Sequence, residues 1–343
     1  MAKSRKTLLS GIQPSGRPHI GNYFGAMKQF VDMSATADYD CFFMIADCHA
    51  LNTIQDAKLL KQSIIDLAAD YLAIGLDPKK SVIFKQSDVS EHTELAWIFE
   101  TLTTMPYLQR AHAYKDAGTK NKEISVGLFN YPMLMAADIL LYDTDVVPVG
   151  QDQKQHVEIT RDTAEKFNRI YPSTSSGQAV PTFKLPEAKI LQSVAVVPGI
   201  DGRKMSKSYG NTIPLFAEDA EIEKLVMGIV THSGGTHTID KQAVVNYVPL
   251  ATNVFKIHSL FKNPTELIPM YNEKTRSKNY KFLKEALIED IKTFIRPLRE
   301  KRKAIADDTS AVLKVLKGGG RRAKEKASAK MDAVREKVGV KLY

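Results

Sequence analysis

Two apolar patterns alternate through the first half of the chain. Short continuous runs at residues 7–10, 41–47, 81–86 and 145–149 suit strands buried on both faces of a parallel sheet. Between them lie stretches of helical periodicity. The first follows the loop at 11–18 and continues through Met27, Phe30, Val31 and Met33. Others span 56–76, with Gly75 and Pro78 as stop signals, 93–108, 130–142, with Pro132 in a first turn, and 154–168. Strands alternating with helices predict an α/β domain with a doubly wound, Rossmann-like parallel sheet. Residues 171–181 and most of 182–198 read as loop, apart from a short strand at 194–197. From Ala217 onward the pattern is helical, at 219–229, 253–261, 264–271, 279–303 and 309–338, the last interrupted at Gly318-Gly319-Gly320. No internal repeat is visible.

Candidate chemistry gathers where such a sheet presents its ligand edge. The loop Gly11-Ile12-Gln13-Pro14-Ser15-Gly16-Arg17-Pro18 joins the first strand to a helix opening at His19-Ile20-Gly21-Asn22. Small residues let a ligand approach the backbone, and Pro18 suits a first helical turn. The helix start would favour a phosphate, His19 adds a donor, and Gly21 would let a base or ribose lie flat. Alone, this is an ordinary strand-to-helix turn. A second loop, Gly202-Arg203-Lys204-Met205-Ser206-Lys207-Ser208-Tyr209-Gly210-Asn211, carries two lysines three apart. Such ammonium groups can stabilise a phosphate chain as charge develops on it. The fingerprint GxGxxG is absent, which disfavours a dehydrogenase.

Within 130–142, Tyr131, Met135 and Asp138 fall on one helical face. That face is aromatic and polarisable, with one carboxylate that would be costly to bury without a donor. His49 follows the second strand directly. Gly150-Gln151-Asp152-Gln153 forms the turn after the fourth strand, where Asp152 suits a ribose hydroxyl or an ammonium, or serves as a helix cap. His156 and Glu158, beyond that turn, read as structural. Residues 115–122 form a charged loop, and the glycine-rich stretch at 232–237 reads as a connector.

At 343 residues the chain has room for two domains. No apolar run approaches a membrane span, the first residues lack a signal-peptide pattern, and a cytoplasmic protein is expected. Cys41 and Cys48 are too few for a disulfide framework and lack zinc-site spacing, so packing is the expected role. All of the net charge of +9 lies in residues 296–343, where 15 Lys/Arg face 6 Asp/Glu; the remainder holds 33 of each sign. A cationic end is compatible with a phosphate backbone as partner, and equally with solvated basic helices.

The HIGN turn and the Lys204-Met205-Ser206-Lys207-Ser208 loop together resemble the paired signatures of class I aminoacyl-tRNA synthetases. Residues 10–16, 131–142 and 147–156 narrow this to a resemblance to bacterial tryptophanyl-tRNA synthetases, from about Leu8 to the C-terminal helices. The resemblance implies activation of L-tryptophan by ATP with Mg²⁺, transfer to tRNA(Trp), a homodimer, and neither a membrane nor a DNA partner. It implies ATP contacts at Gln13, Pro14, Ser15, Gly21 and Asn22, with His19 and the helix end favouring the phosphates. Gly150, Gln151 and Asp152 would hold the ribose, and the Val196 backbone would touch the adenine. Lys204 and Lys207 would stabilise departing pyrophosphate, with Met205, Ser206 and Ser208 in the same loop. Asp138 would accept the indole N–H, Tyr131 and Gln153 would hold the ammonium, and Met135 and His49 would complete the amino-acid pocket. No metal ligand is expected from the chain.

The implied division is a Rossmann-like catalytic domain at 1–200, a lysine loop at 201–215, a helical anticodon-region domain at 216–308, and a basic segment at 309–343 that packs back on the first. Three departures stand out: position 151 is Gln where members commonly have Glu, residues 115–122 carry an unusual lysine arrangement, and Tyr209-Gly210-Asn211 follows the lysine loop where an acidic continuation is frequent. Tyrosyl-tRNA synthetase is the nearest rival, but its phenol would need more than one carboxylate. A small nucleotidyltransferase would lack the basic helical extension. A paralogue that binds RNA or senses tryptophan without charging tRNA is the alternative from another class.

Overall fold

The computed structural model describes residues 5–110, 114, 124–150, 153–172, 174–175, 178–190, 197–231 and 252–343. Five strands form one parallel sheet: β1 Lys6–Ile12, β2 Tyr39–Ile45, β3 Ser81–Lys85, β4 Val146–Val149 and β5 Glu187–Ile190, in the order β3-β2-β1-β4-β5. This is the Rossmann-like arrangement that the alternating pattern predicted. Leu8, Leu9 and the run from Cys41 to Ile45 are buried, as the continuous apolar runs require. β5 corrects the expectation of loop at 182–190. Its Glu-Ala-Lys-Ile alternates exposed with half-buried positions on a sheet edge, which leaves little apolar signal. The strand expected at 194–197 lies outside the described residues except for Val197.

The helices are α1 Ile20–Asn22, continued by a π-helical turn at Tyr23–Met27 into α2 Lys28–Ala35, then α3 Asp47–Ala50, α4 Ala57–Ala73, α5 Glu91–Leu102, α6 Met105–Leu108, α7 Val126–Leu140 and α8 Lys154–Ile170. After the sheet come α9 Asp219–Met227, α10 Thr252–His258, α11 Pro264–Arg276, α12 Tyr280–Asp307 and α13 Thr309–Val338. Three helical expectations change. The helix expected at 93–108 divides, because Thr103 and Thr104 are extended and Pro106 opens α6. Pro132 lies inside α7 rather than at its start; Ser125 caps the helix by accepting from the Leu128 N–H, and the proline forfeits one intrahelical bond.

The third change is the glycine triplet, which does not interrupt α13. A Cβ on Gly319 would stand 1.8 Å from the Ile83 carbonyl oxygen, so the absence of a side chain lets the helix lie directly on β3. Arg322 donates to the carbonyls of Pro78 and Ser81, Lys326 to the Thr7 hydroxyl, and Arg335 pairs with Glu94. Lys330 pairs with Asp143. Four of the tail's cations are therefore used to hold this helix.

Gly319→Val should destabilise the protein by roughly 3 kcal/mol by forcing α13 off β3. Gly318→Ala, with no neighbour within 4 Å, should instead stabilise by about 0.5–1 kcal/mol. Thermal or denaturant unfolding of the two variants reads the opposite signs.

Contacts group the chain into two units. One comprises Met1–Gly16, Gln29–Gln192 and Ile305–Tyr343; the other comprises Arg17–Lys28 and Ser193–Ala304. In the second unit, Tyr23 and Phe24 pack their rings on Phe294, and Phe24 also on Phe261. This aromatic cluster is why the segment opening at His19 associates with α12.

Candidate active site

In the sheet unit, the chain reverses direction of strand order between β1 and β4, which is where open α/β sheets bind nucleotides. Gln13 and Ser15 are exposed just beyond β1, Pro14 is buried between them, and half-buried Gly150 follows β4. Ser10 donates to the Pro148 carbonyl at 3.4 Å across the two strands. Gln151, Asp152 and Val196 lie outside the described residues, as do Lys115, Lys120 and Lys122 of the charged loop and the glycine-rich stretch at 232–237.

Beside the ends of β2 and β3 stands Asp138, on the buried face of α7 and 2% exposed. Its Oδ2 is 2.8 Å from His49 Nε2, and its Oδ1 accepts from Gln86 Nε2 at 2.7 Å. Oδ1 also lies 2.6 Å from His92 Nδ1, a close contact bent away from an ideal hydrogen bond. Burial works to raise this carboxyl, but the hydrogen bond from His49 and the close approach of His92 outweigh it and hold the pKa at about 2. The donors that the sequence left unidentified are thus His49, Gln86 and His92. His49 presents its Nε2 to Asp138.

Sequence reasoning passed over Gln86 and His92. The available signal was position, since Gln86 closes the β3 run at the ligand edge and His92 lies in the first turn of α5.

Tyr131 and Met135 share the half-buried side of α7. The Tyr131 hydroxyl contacts His156 Nε2 at 2.5 Å, and its ring meets that of His49 edge-on at 6.1 Å. His156, read as structural, is therefore a neighbour of this face. Half-buried Gln153 caps α8 by position, and its N–H donates to the Gly150 carbonyl. Cys41 is buried and Cys48 half-buried, and burial pushes their thiols up to about 11 and about 12.

The second unit holds both signature segments. Helix α1 begins at Ile20 rather than at Pro18, and His19 is its cap: His19 Nδ1 accepts from the Asn22 N–H while the Asn22 side chain accepts from the His19 N–H. With Nδ1 accepting, the imidazole proton resides on Nε2. Burial, then the charge of Lys207, lowers the His19 pKa to about 4, so at neutral pH it is an uncharged donor. The space over Gly21 is taken by the His19 ring and the Met205 sulfur, 2.9 and 3.5 Å from where a Cβ would be. The glycine is thus needed for this cap.

In the lysine loop Met205 is buried, while Lys204, Lys207 and Ser208 are exposed. Asn211, which is buried, organises the turn. Its Oδ1 accepts from the Ser206 N–H, and its Nδ2 donates to Asp201 and to the Lys204 carbonyl. The Ser206 and Ser208 hydroxyls lie 2.9 Å apart. This holds a short cationic hook whose polar ends face outward.

Among the described residues there is no group of three or more His, Cys, Asp or Glu suited to a metal, and no helix is long and apolar enough to cross a membrane. Magnesium characteristically binds through substrate phosphates with few protein ligands.

Residues 1–296 match the family described as tRNA synthetases class I (W and Y). The chain is 46% identical over 340 residues to the tryptophan–tRNA ligase of Fusobacterium nucleatum subsp. nucleatum, covering 98% of each. It is 42% identical over 335 residues to that of Rhodopirellula baltica, covering 97% of this chain and 99% of the relative. Its fold matches the tryptophanyl-tRNA synthetase of Campylobacter jejuni complexed with ADP and tryptophan, with a TM-score of 0.82 and 42% identity, covering 97% of this chain and 99% of the other. On the match along the chain and the agreement in fold, this protein belongs to the class I tRNA synthetases, and within them to the tryptophan–tRNA ligases.

Proposed function

We propose that the chain activates L-tryptophan with ATP and transfers it to tRNA(Trp), with Asp138 as the residue that selects the amino acid. The observation that carries this reading is an ionised carboxylate buried on an apolar helix face and held by donors on neighbouring elements. Such a group makes chemical sense as the acceptor for one ring N–H. A site built around one such bond can discriminate by about 10⁴–10⁵, whereas an apolar pocket separates ligands by a methylene only about 10–200-fold. Met135 would contribute to the apolar wall, and Tyr131 with Gln153 would hold the ammonium.

In the first step a tryptophan carboxylate oxygen attacks the α-phosphorus of ATP. A new P–O bond forms, the bond from the α-phosphorus to the α,β-bridging oxygen breaks, and pyrophosphate leaves with that electron pair. The carboxylate is already ionised, so no general base is required; catalysis rests on positioning and charge neutralisation. His19, through Nε2–H, would donate to phosphate without adding charge. Lys204 and Lys207 would neutralise pyrophosphate, with Met205 anchoring the loop and Ser206 and Ser208 donating beside the lysines. Gln13, Pro14, Ser15, Gly21 and Asn22 would line the nucleotide, Gly150, Gln151 and Asp152 the ribose, and the Val196 backbone the adenine. Magnesium bound to the phosphates would supply further neutralisation of their charge. In the second step a hydroxyl of the tRNA's terminal adenosine attacks the carbonyl and AMP leaves.

We assign the helical residues 216–308 to the anticodon region of the tRNA, and residues 1–200 to catalysis with 201–215 as its phosphate loop. The basic segment 309–343 belongs with the catalytic part. A homodimer in the cytoplasm completes the proposal.

Amino-acid-dependent ATP–pyrophosphate exchange, run with each common amino acid in turn, tests it. Exchange with tryptophan alone is expected. Exchange with tyrosine would overturn the role of Asp138, and no exchange would favour a paralogue that binds without charging.

A further inference from the structure

Asp138 has about four acceptor sites as a carboxylate, two on each oxygen. His92 and Gln86 both approach Oδ1, at 2.6 and 2.7 Å, while His49 approaches Oδ2 at 2.8 Å. His92, off the ideal angle, covers the second site on Oδ1, and among the described residues one site on Oδ2 is left.

The directions of these contacts are set from behind. Gln86 Oε1 accepts the backbone N–H groups of Cys48 and His49, which turns its amide nitrogen toward Asp138. His92 Nε2 lies 2.9 Å from the Tyr142 hydroxyl, and both side chains are fully buried. Asp138 as a carboxylate can only accept, so the imidazole proton of His92 sits on Nδ1, facing Oδ1, and Nε2 is left to accept from the Tyr142 hydroxyl. Ring contacts of Tyr142 with Phe42 and of His92 with Phe84 fix this pair in the core.

We propose that His92 and Gln86, with Tyr142 behind His92, are positioning residues that leave Asp138 one open acceptor site and thereby restrict the pocket to a side chain with a single ring N–H. This rests on the reading of Asp138 as the acceptor for indole. A phenol could donate its one proton to that site, but its own oxygen would find the protons of His49, Gln86 and His92 already used. An aromatic ring with sulfur in place of N–H would leave the site unfilled, with the cost of an unpaired buried charge.

The test compares kcat/KM in ATP–pyrophosphate exchange for tryptophan and for β-(3-benzothienyl)alanine, using the full chain. His92→Leu should lower the tryptophan-to-analogue ratio at least about ten-fold, through KM for tryptophan, with KM for ATP unchanged. His92→Asn, whose amide can place an N–H where Nδ1 stood, should recover most of the ratio. Tyr142→Phe, which removes one oxygen, should lower the ratio by about three-fold and serves if His92→Leu fails to fold. A purely structural role would depress both substrates alike and leave the ratio constant, which overturns the proposal while tryptophan activation stands. If the unaltered protein shows no tryptophan-dependent exchange, the reading of Asp138 falls and this inference falls with it.

Discussion

Asp138→Asn should reduce kcat/KM for tryptophan by about 10³-fold or more while leaving KM for ATP nearly unchanged. The carboxamide keeps the shape but offers its NH₂ group to His49, Gln86 or His92, all of which approach the natural side chain as donors. Two donors facing each other in a buried site force a flip or an opening, and the acceptor for indole is lost in either case. Steady-state exchange kinetics with each substrate varied in turn separate the two effects. Tryptophan kinetics like those of the unaltered protein would remove the specificity argument altogether.

The same substitution should change the acid limb of stability. An unfolded aspartate titrates near 3.9, and in the folded chain Asp138 is held at about 2. A depressed carboxyl contributes stability above the unfolded value and loses it as pH falls through the folded value. The unaltered protein should therefore lose this contribution between about pH 4 and pH 2. That part of the loss should be absent from Asp138→Asn in unfolding measured across the same range.

Lys207→Ala should lower kcat for adenylate formation by about 10²–10³-fold, with KM for tryptophan little affected. The reason is that its ammonium acts on charge that develops as pyrophosphate leaves, more than on the bound ground state. Lys204→Ala should behave similarly. Single-turnover adenylate formation reads the effect directly, and a loss confined to KM for ATP would assign these lysines to ground-state binding instead. Lys207→Ala should also raise the His19 pKa from about 4, since a repelling cation is gone, although burial, the larger cause, remains. An NMR titration of His19 measures that shift. No upward shift would mean that the lysine does not act on the phosphate-facing histidine.

The sequence by itself determined the sheet, because runs such as Cys41 to Ile45 are apolar without interruption, and only a strand covered on both faces needs that. It also determined the two signature segments and the helical face bearing Asp138, since spacing along a helix is a local property. Tertiary structure decided where local signals were silent or misleading. The edge strand Glu187–Ile190 is half polar, Pro132 sits within a helix whose start is marked by Ser125, and Gly318-Gly319-Gly320 resembles a break until Ile83 is seen beneath it. The partners of Asp138 come from α3 after β2, the turn just past β3 and the first turn of α5. Nothing along the chain pairs those residues; the parallel crossovers bring them to one point, and a buried charge retains those that can donate to it.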